Sequence, residues 1–501
     1  MALDRIAHGD TSPGGGQLVN PLARLRHLFP GLAQDPNSVL PVSSEVVDNL
    51  VRLGDSMRDI APDGINNSDI HSGYTYLGQF IDHDTVFTQV TREARDLTDS
   101  CMLGDSQLHP FELSYIDNNV SNQRTAILEL ETIYGGAQPA PRDSTDDRLM
   151  ALGRIINHDG TEPTGDAAKD LPLLEEGANL GKRVPHIGDR RNDQTVMLSQ
   201  LHVAFLRAHN AIVRKLDCTF VEAQRLLRQH YLWMIVHDFL MKKVAMKSVV
   251  ERVLSSPTPR YVPAPLFFLP LEFTSAAFRF GHSMIRSNYY LNDDLPGAEL
   301  RDIFILKAVK NPAGGSFIRL PLRKVISWKE FLPRGENVAR SLDTQMVEPL
   351  LAVLDANEEI VPCEARLAVQ DLKRGYMMRL PTGQAIAKHC DIVPLTDNQL
   401  LNACANVLQR EVLMHSPLLQ RTPLWFYLLA EATAQESGQR LGELGSYLIS
   451  EVLIGLARRL PYSFINLPDW RPTLGLTPGE FELKDLFLLA GVLSPSGISD
   501  Q

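Results

Sequence analysis

From residue 196 onward, apolar side chains return every three to four positions. Leu198, Leu201, Phe205, Ile212 and Val213 form one stripe, and Leu226, Leu227, Tyr231, Ile235 and Leu240 form another. That period belongs to helices with a buried face. It recurs over 44–58 through Val46, Val47, Leu50, Val51 and Leu53, and again over 274–287, 341–354, 397–413, 424–435 and 440–459. Strand-like alternation is scarce and short, around 316–322. The pattern predicts a mainly α fold, a single large helical domain with long irregular loops and little strand. Residues 137–190, rich in Pro, Gly, Asp and Thr, are expected as long surface connections. Residues 1–45 carry Gly14-Gly15-Gly16 and a proline-punctuated stretch at 30–41, and are expected as an N-terminal arm packed on a domain of residues 46–501.

At 501 residues and 44% hydrophobic content the chain is long enough to bury a large core. Its net charge of −11 argues against a nucleic-acid groove. The longest apolar runs, such as 261–273, are broken by proline and too short to span a bilayer. The first ten residues lack the basic-then-apolar pattern of a secretory signal, so a cytoplasmic protein, or one exported without such a signal, is expected. Cys101, Cys218, Cys363, Cys390 and Cys404 form no CxxC pair and fit a reducing compartment. The absence of HExxH and of paired ExxH weighs against zinc-hydrolase and di-iron chemistry.

Four segments carry polar groups suited to chemistry. In Tyr76 to Asp84, a helical backbone puts Gln79, Asp82 and His83 on one face and turns Asp84 elsewhere. In Gly188 to Gln194, Arg191 stands at a helix entrance, from which it can reach a cleft; Asn192 or Asp193 as a simple helix cap is the competing reading. In Ala276 to Ile285, Phe278, His282 and Ile285 share a helical face, and Gly281 leaves room for a flat or bulky group. In Gln370 to Gly375, Asp371 and Arg374 can orient a histidine and hold an anion, or can be a surface charge pair. Taken singly, each histidine is equally an ordinary hydrogen-bonded core residue. His202 and His209, with no partner set of this kind, are expected to pack or hydrogen-bond.

Together, and in this order, the segments resemble the animal haem peroxidase superfamily, the peroxidase–cyclooxygenase group, in a bacterial-type member. Gly78 to Asp84 resembles the distal-histidine helix, Gly188 to Asn210 the catalytic-arginine segment, and Phe278 to His282 the proximal-histidine helix. Thr422 to Tyr427 and Trp470-Arg471-Pro472 resemble C-terminal segments of the family. The resemblance implies haem b, with His282 as iron ligand, His83 as distal base, Arg191 as distal cation and Gln79 in the distal pocket. It makes Asp82 the carboxylate that forms an ester with the haem. It makes Asp371 the partner of His282, and Arg279 and Arg374 supports of the haem and its propionates. It also implies Ca²⁺ bound by Asp84, Thr125, Ile127, Glu129 and Glu131.

Two departures stand out. Gln194 occupies a position where relatives with a second haem ester carry Glu, and Thr195 excludes a methionine link, so at most one covalent link is expected. Glu129 and Glu131 stand where the family loop usually offers Asp, and their longer arms require backbone adjustment. The implied activity is reduction of hydrogen peroxide through a ferryl intermediate, with small aromatic or inorganic electron donors. The alternatives are a haem-dependent fatty-acid dioxygenase and a non-catalytic binding protein on the peroxidase fold. Dioxygenases of this group carry a tyrosine three residues before the proximal histidine, where this chain has Arg279.

Overall fold

The computed structural model describes residues 23–59, 65–90, 108–125, 127–136, 139–157, 159–174, 183–263, 268–300, 303, 319–347 and 366–494. Helices dominate, as the apolar period predicts. Nine are named here in chain order: α1 Ser44–Asp55, α2 Ser72–Thr85, α3 Val196–Leu216, α4 Phe220–Trp233, α5 Leu367–Met377, α6 Asp397–Ala403, α7 Val407–Met414, α8 Leu424–Glu436 and α9 Glu443–Arg459. Helices α3, α8 and α9 are buried along most of their length. They build one continuous hydrophobic core with α1, α2 and α4. No helix among the described residues is long and apolar enough to cross a membrane. Cys218, Cys390 and Cys404 carry free thiols, and Cys101 and Cys363 lie outside the described residues.

Strands are few and short. A four-stranded sheet runs in the order β2 (Thr88–Val90), β3 (Val120–Asn122), β1 (Ala23–Arg26), β4 (Phe268–Pro270). Strand β1 pairs antiparallel with β3 and parallel with β4. The described part of the expected arm is therefore woven into the sheet. This sheet also fixes the end of α2. The Asn122 amide donates to the Thr85 carbonyl at 2.8 Å, and its oxygen accepts from the Phe87 N–H at 2.6 Å.

Several helical expectations need correction. Over 274–287 the backbone breaks at Ala276 (φ −145°, ψ −67°), between a short helix Leu271–Ser275 and a 3₁₀ helix Ala277–Met284. The 3₁₀ turn stacks residues at i and i+3, so Arg279 and His282 share a face in place of Phe278 and His282. The segment 397–413 divides into α6 and α7, because Asn406 caps the second helix by accepting from Gln409 N–H at 3.0 Å. Residues 341–347 are not helical: a bend at 342–344 leads into Met346–Val347, which pair parallel to Arg58–Asp59; 348–354 lie outside the described residues. Of the alternation expected around 316–322, residues 316–318 lie outside the described residues, Pro321 forms an isolated parallel β-bridge with Ile156, and a 3₁₀ turn, Leu322–Lys324, follows. The segment after α4 is a π-helix, Met234–Val244. Its Asp238 accepts from the Tyr74 hydroxyl of α2 at 3.0 Å and from Leu483 N–H at 2.8 Å, which anchors the start of α2.

Candidate functional site

Helix α2 packs against both the 3₁₀ helix Arg190–Asp193 and the 3₁₀ helix Ala277–Met284. These three elements bring His83, Arg191 and His282 into one region. Asp82 lies near all of them, since its carboxyl feels the charges of Arg191, Arg279 and His282. Burial outweighs those cations and pushes Asp82 up to about 6. Gln79 is half-buried on the same helix, and Asp82, His83 and Asp84 are buried.

His83 is fully enclosed, at 0% exposure. Its Nδ1 lies 2.8 Å from the Asn192 amide oxygen, whereas its Nε2 is buried with no partner. Burial, together with the Arg191 guanidinium, pushes the imidazole down to about 3, so the ring is neutral near pH 7. Arg191 is gripped from behind. Its Nε and one terminal nitrogen donate to Asp189, and that nitrogen also reaches the carbonyls of His83 at 3.1 Å and Val86 at 2.7 Å. Its other terminal nitrogen, Nη1, is buried without a partner. The guanidinium lies 4.7 Å from the Phe87 ring centroid.

A second layer of ion pairs holds this segment. Burial works to raise Asp189, but Arg191 and Arg124 hold its carboxyl well below the usual range. Arg124 binds Asp189, Glu131 and the Gly188 carbonyl. Gly188 is required, because a Cβ there would meet the carbonyls of Glu131 at 2.6 Å and Thr132 at 2.8 Å. Arg183 chelates Asp170 and Asp193 in a buried cluster, which ties the 137–190 connection to the 3₁₀ turn. The capping expected of Asn192 or Asp193 falls to Asp189, which accepts from Arg191 N–H, and to Thr195, which accepts from Leu198 N–H. Asn192 and Asp193 are thereby available for His83 and Arg183.

On the other side, His282 Nδ1 lies 2.7 Å from one oxygen of Asp371, and Arg279 donates to the other oxygen at 2.9 Å. The 3₁₀ register makes this shared acceptor reachable. Burial opposes ionisation of Asp371, yet His282 and Arg279 hold its carboxyl below the usual range. A carboxylate here accepts a hydrogen bond from Nδ1–H, which fixes the proton on Nδ1 and leaves the lone pair of the ring on Nε2. Arg279 also donates to the Thr274 carbonyl at 2.9 Å, so its support acts through Asp371 and the backbone, behind the histidine. Arg374 is half-buried and its charge reaches Asp371. Nothing stands within 4 Å of a Cβ built on Gly281, which leaves the open space expected beside His282. A flat iron-binding ligand fits this set: one carboxylate-backed imidazole, and two buried polar atoms facing no protein partner.

Several of the groups expected to hold Ca²⁺ are engaged by protein partners. Glu131 turns back on Thr125, accepting from its N–H at 3.0 Å and its hydroxyl at 2.7 Å, and also takes Arg124. Glu129 accepts from the Tyr462 hydroxyl at 2.7 Å. The Ile127 carbonyl accepts from Glu129 N–H at 2.7 Å. Asp84 accepts from the Leu130 and Thr132 N–H groups at 3.1 and 3.2 Å, and burial pushes it up to about 7. Leu130 adopts a left-handed conformation (φ 56°) that aims these amides. The longer glutamate arms reach protein donors, and the Arg124 guanidinium supplies the positive charge. Among the described residues, no group of three or more His, Cys, Asp or Glu side chains is placed to hold a metal ion. Millimolar Ca²⁺ or a chelator is therefore expected to move the melting temperature by no more than about 1 °C. A fall of several degrees on chelation would restore the calcium assignment.

Comparison with known proteins bears on the family and the fold. The family profile "Animal haem peroxidase" matches residues 32–326. A "Peroxidase-like protein" from Margaritifera margaritifera is 26% identical over 276 residues, covering 44% of this chain and 32% of that protein. "Peroxidase mlt-7" from Caenorhabditis elegans is 25% identical over 254 residues, covering 44% of this chain and 33% of that protein. The chain thus matches about a third of the length of these relatives. Peroxidase A from Dictyostelium discoideum superposes with a TM-score of 0.58 at 14% identity, over 99% of this chain and 98% of that one. A fatty acid alpha-dioxygenase from Arabidopsis thaliana gives a TM-score of 0.50 at 15% identity, over 91% and 76%. At these identities, the two structures bear on the fold alone.

Proposed function

The chain belongs to the animal haem peroxidase family, and from that premise we propose that it binds haem b and reduces hydrogen peroxide at the expense of a small aromatic or inorganic electron donor. The observation that carries the proposal is the pair of buried, partnerless atoms, His83 Nε2 and Arg191 Nη1, in one region with the Asp371-backed imidazole of His282.

His282 would hold the iron through Nε2, with Asp371 raising the electron density of the ring. Haem, when bound, supplies the electrons for cleaving the O–O bond and recovers them from the donor. The protein contributes proton traffic and charge. His83 Nε2 takes a proton from one peroxide oxygen and returns it to the other, so that water leaves. Arg191 Nη1 stabilises the negative charge that develops as the bond breaks, worth about 3 kcal/mol for a fixed donor. Gln79, half-buried one turn before His83, would border the pocket. Asp82 is the carboxylate suited to a haem ester, and Gln194, an amide, is unable to form a second.

The proposal is tested by absorption of the purified, haem-reconstituted chain before and after acid acetone, followed by stopped-flow mixing with hydrogen peroxide. A Soret band that responds to stoichiometric peroxide supports it. A haem band inert to peroxide would leave the non-catalytic reading. The dioxygenase reading lacks its tyrosine, because Arg279 is bound to Asp371 and the Thr274 carbonyl. Rapid oxygen uptake with an unsaturated fatty acid, without peroxide, would favour it.

A further inference from the structure

A three-membered chain of side chains runs away from the proposed catalytic base. His83 Nδ1 meets the Asn192 oxygen at 2.8 Å, and the Asn192 nitrogen meets His202 Nδ1 at 3.1 Å. All three residues are fully buried, and they come from different elements: α2, the 3₁₀ helix and α3. An amide oxygen only accepts and an amide nitrogen only donates. The Asn192 oxygen therefore requires the proton on His83 Nδ1, which leaves the lone pair on Nε2. At the other end, His202 Nδ1 accepts and its proton sits on Nε2, which is buried without a hydrogen-bond partner in a ring whose centroid lies 6.5 Å from that of Phe80. A rotated amide would reverse both tautomers, put a proton on His83 Nε2, and leave it unable to act as a base.

We propose that Asn192, braced by His202, is the positioning residue that holds His83 in the tautomer with an unprotonated Nε2. The inference rests on His83 being the base, and adds what makes it one. Its requirement is a neutral His202, which burial secures by pushing the ring down to about 3. The charged groups facing His83 are Arg191, Asp189 and Arg124, with Asp82 adjacent in sequence. None of them bonds to His83 Nδ1, so the tautomer is left to Asn192.

The direct test is imidazole ¹⁵N NMR of the full chain labelled with [¹⁵N]histidine, in the diamagnetic ferrous carbon-monoxide form, with His83→Gln assigning the signal. The expected result is a protonated Nδ1 and an unprotonated Nε2 at His83. A protonated Nε2 would overturn the proposal. In kinetics, Asn192→Leu is expected to lower the rate with hydrogen peroxide about 10- to 100-fold, while the Soret band and the KM of a phenolic donor stay unchanged. Asn192→Asp retains an acceptor for Nδ1–H. It should recover the rate to within a few fold, with its acid limb moved to higher pH by the added carboxylate. An unchanged peroxide rate in Asn192→Leu overturns the proposal. If that variant fails to fold, the wild-type tautomer and the Asn192→Asp profile decide. A missing Soret band would end the haem reading instead, and the ring assignment would still be made on the haem-free chain.

Discussion

His282→Ala is expected to purify without a Soret band, or to bind haem at least about 100-fold more weakly than the parent chain. Three features make the effect large. Behind the imidazole the fold has placed a carboxylate, with Asp371 at 2.7 Å from Nδ1. Asp371 is itself buried and shared with Arg279, so the ring is held in orientation before any ligand arrives. Nothing stands within 4 Å of a Cβ built on Gly281, so no neighbouring side chain is already in place there to substitute. Circular dichroism should stay near that of the parent, because Arg279 still neutralises Asp371 after the ring is gone. Added imidazole should restore part of the Soret absorption by entering the vacated space. A variant with full haem content and full peroxide reactivity would refute both the ligand assignment and the site built on it. Asp371→Asn should fall between the two, with haem affinity or peroxide reactivity reduced about 10- to 100-fold, since a neutral amide also leaves the buried Arg279 without its counter-charge.

What the sequence revealed followed from the physics of each signal. The 3.6-residue period of Leu198, Leu201 and Phe205 arises from burial of one face, and α3 follows it closely. The proximity of Gln79, Asp82 and His83 needs only a helix, and α2 is one. The register around His282 was not legible. Eight residues with an apolar stripe satisfy an α-helix and a 3₁₀ helix alike, and the choice depends on the break at Ala276 and on Asp371, which is 89 residues further along the chain. The partners of the loop expected to bind calcium were hidden for a related reason. Glutamate supplies the right charge, but which partner its longer arm finds is decided by Arg124, Thr125 and Tyr462 in the folded chain. Asn192 was taken as a possible cap because a cap is a local event. Its bond to His83 spans 109 residues of sequence, and no local pattern announces it. The Arg183 cluster was hidden in the same way, inside a connection whose composition speaks only of turns.

The second large effect concerns His83. Glutamine at this position can still hydrogen-bond Asn192, so the buried amide keeps a partner and the fold should survive. It cannot accept a proton from peroxide at neutral pH. The rate of reaction with hydrogen peroxide should therefore fall about 10²- to 10⁴-fold in His83→Gln, or about 3 to 5 kcal/mol of barrier, with haem content unchanged. The pH profile of the parent chain supplies an independent check. Burial, aided by Arg191, pushes His83 down to about 3, well below its ordinary value. A base acts when it is unprotonated, so reactivity should be level from about pH 5 to pH 8 and decline only as the pH falls through the depressed pKa. An unperturbed histidine would instead lose half its reactivity near pH 6.5. Stopped-flow rates from pH 4 to pH 8 separate the two cases. A half-point near 6.5 in the parent would show the ring to be solvated and its enclosure incorrect. A His83→Gln variant as fast as the parent across that range would transfer the proton chemistry elsewhere. Among the described residues Asp82, buried next to His83 in the chain and pushed up to about 6, is then the group to receive it, since Arg191 is a donor only.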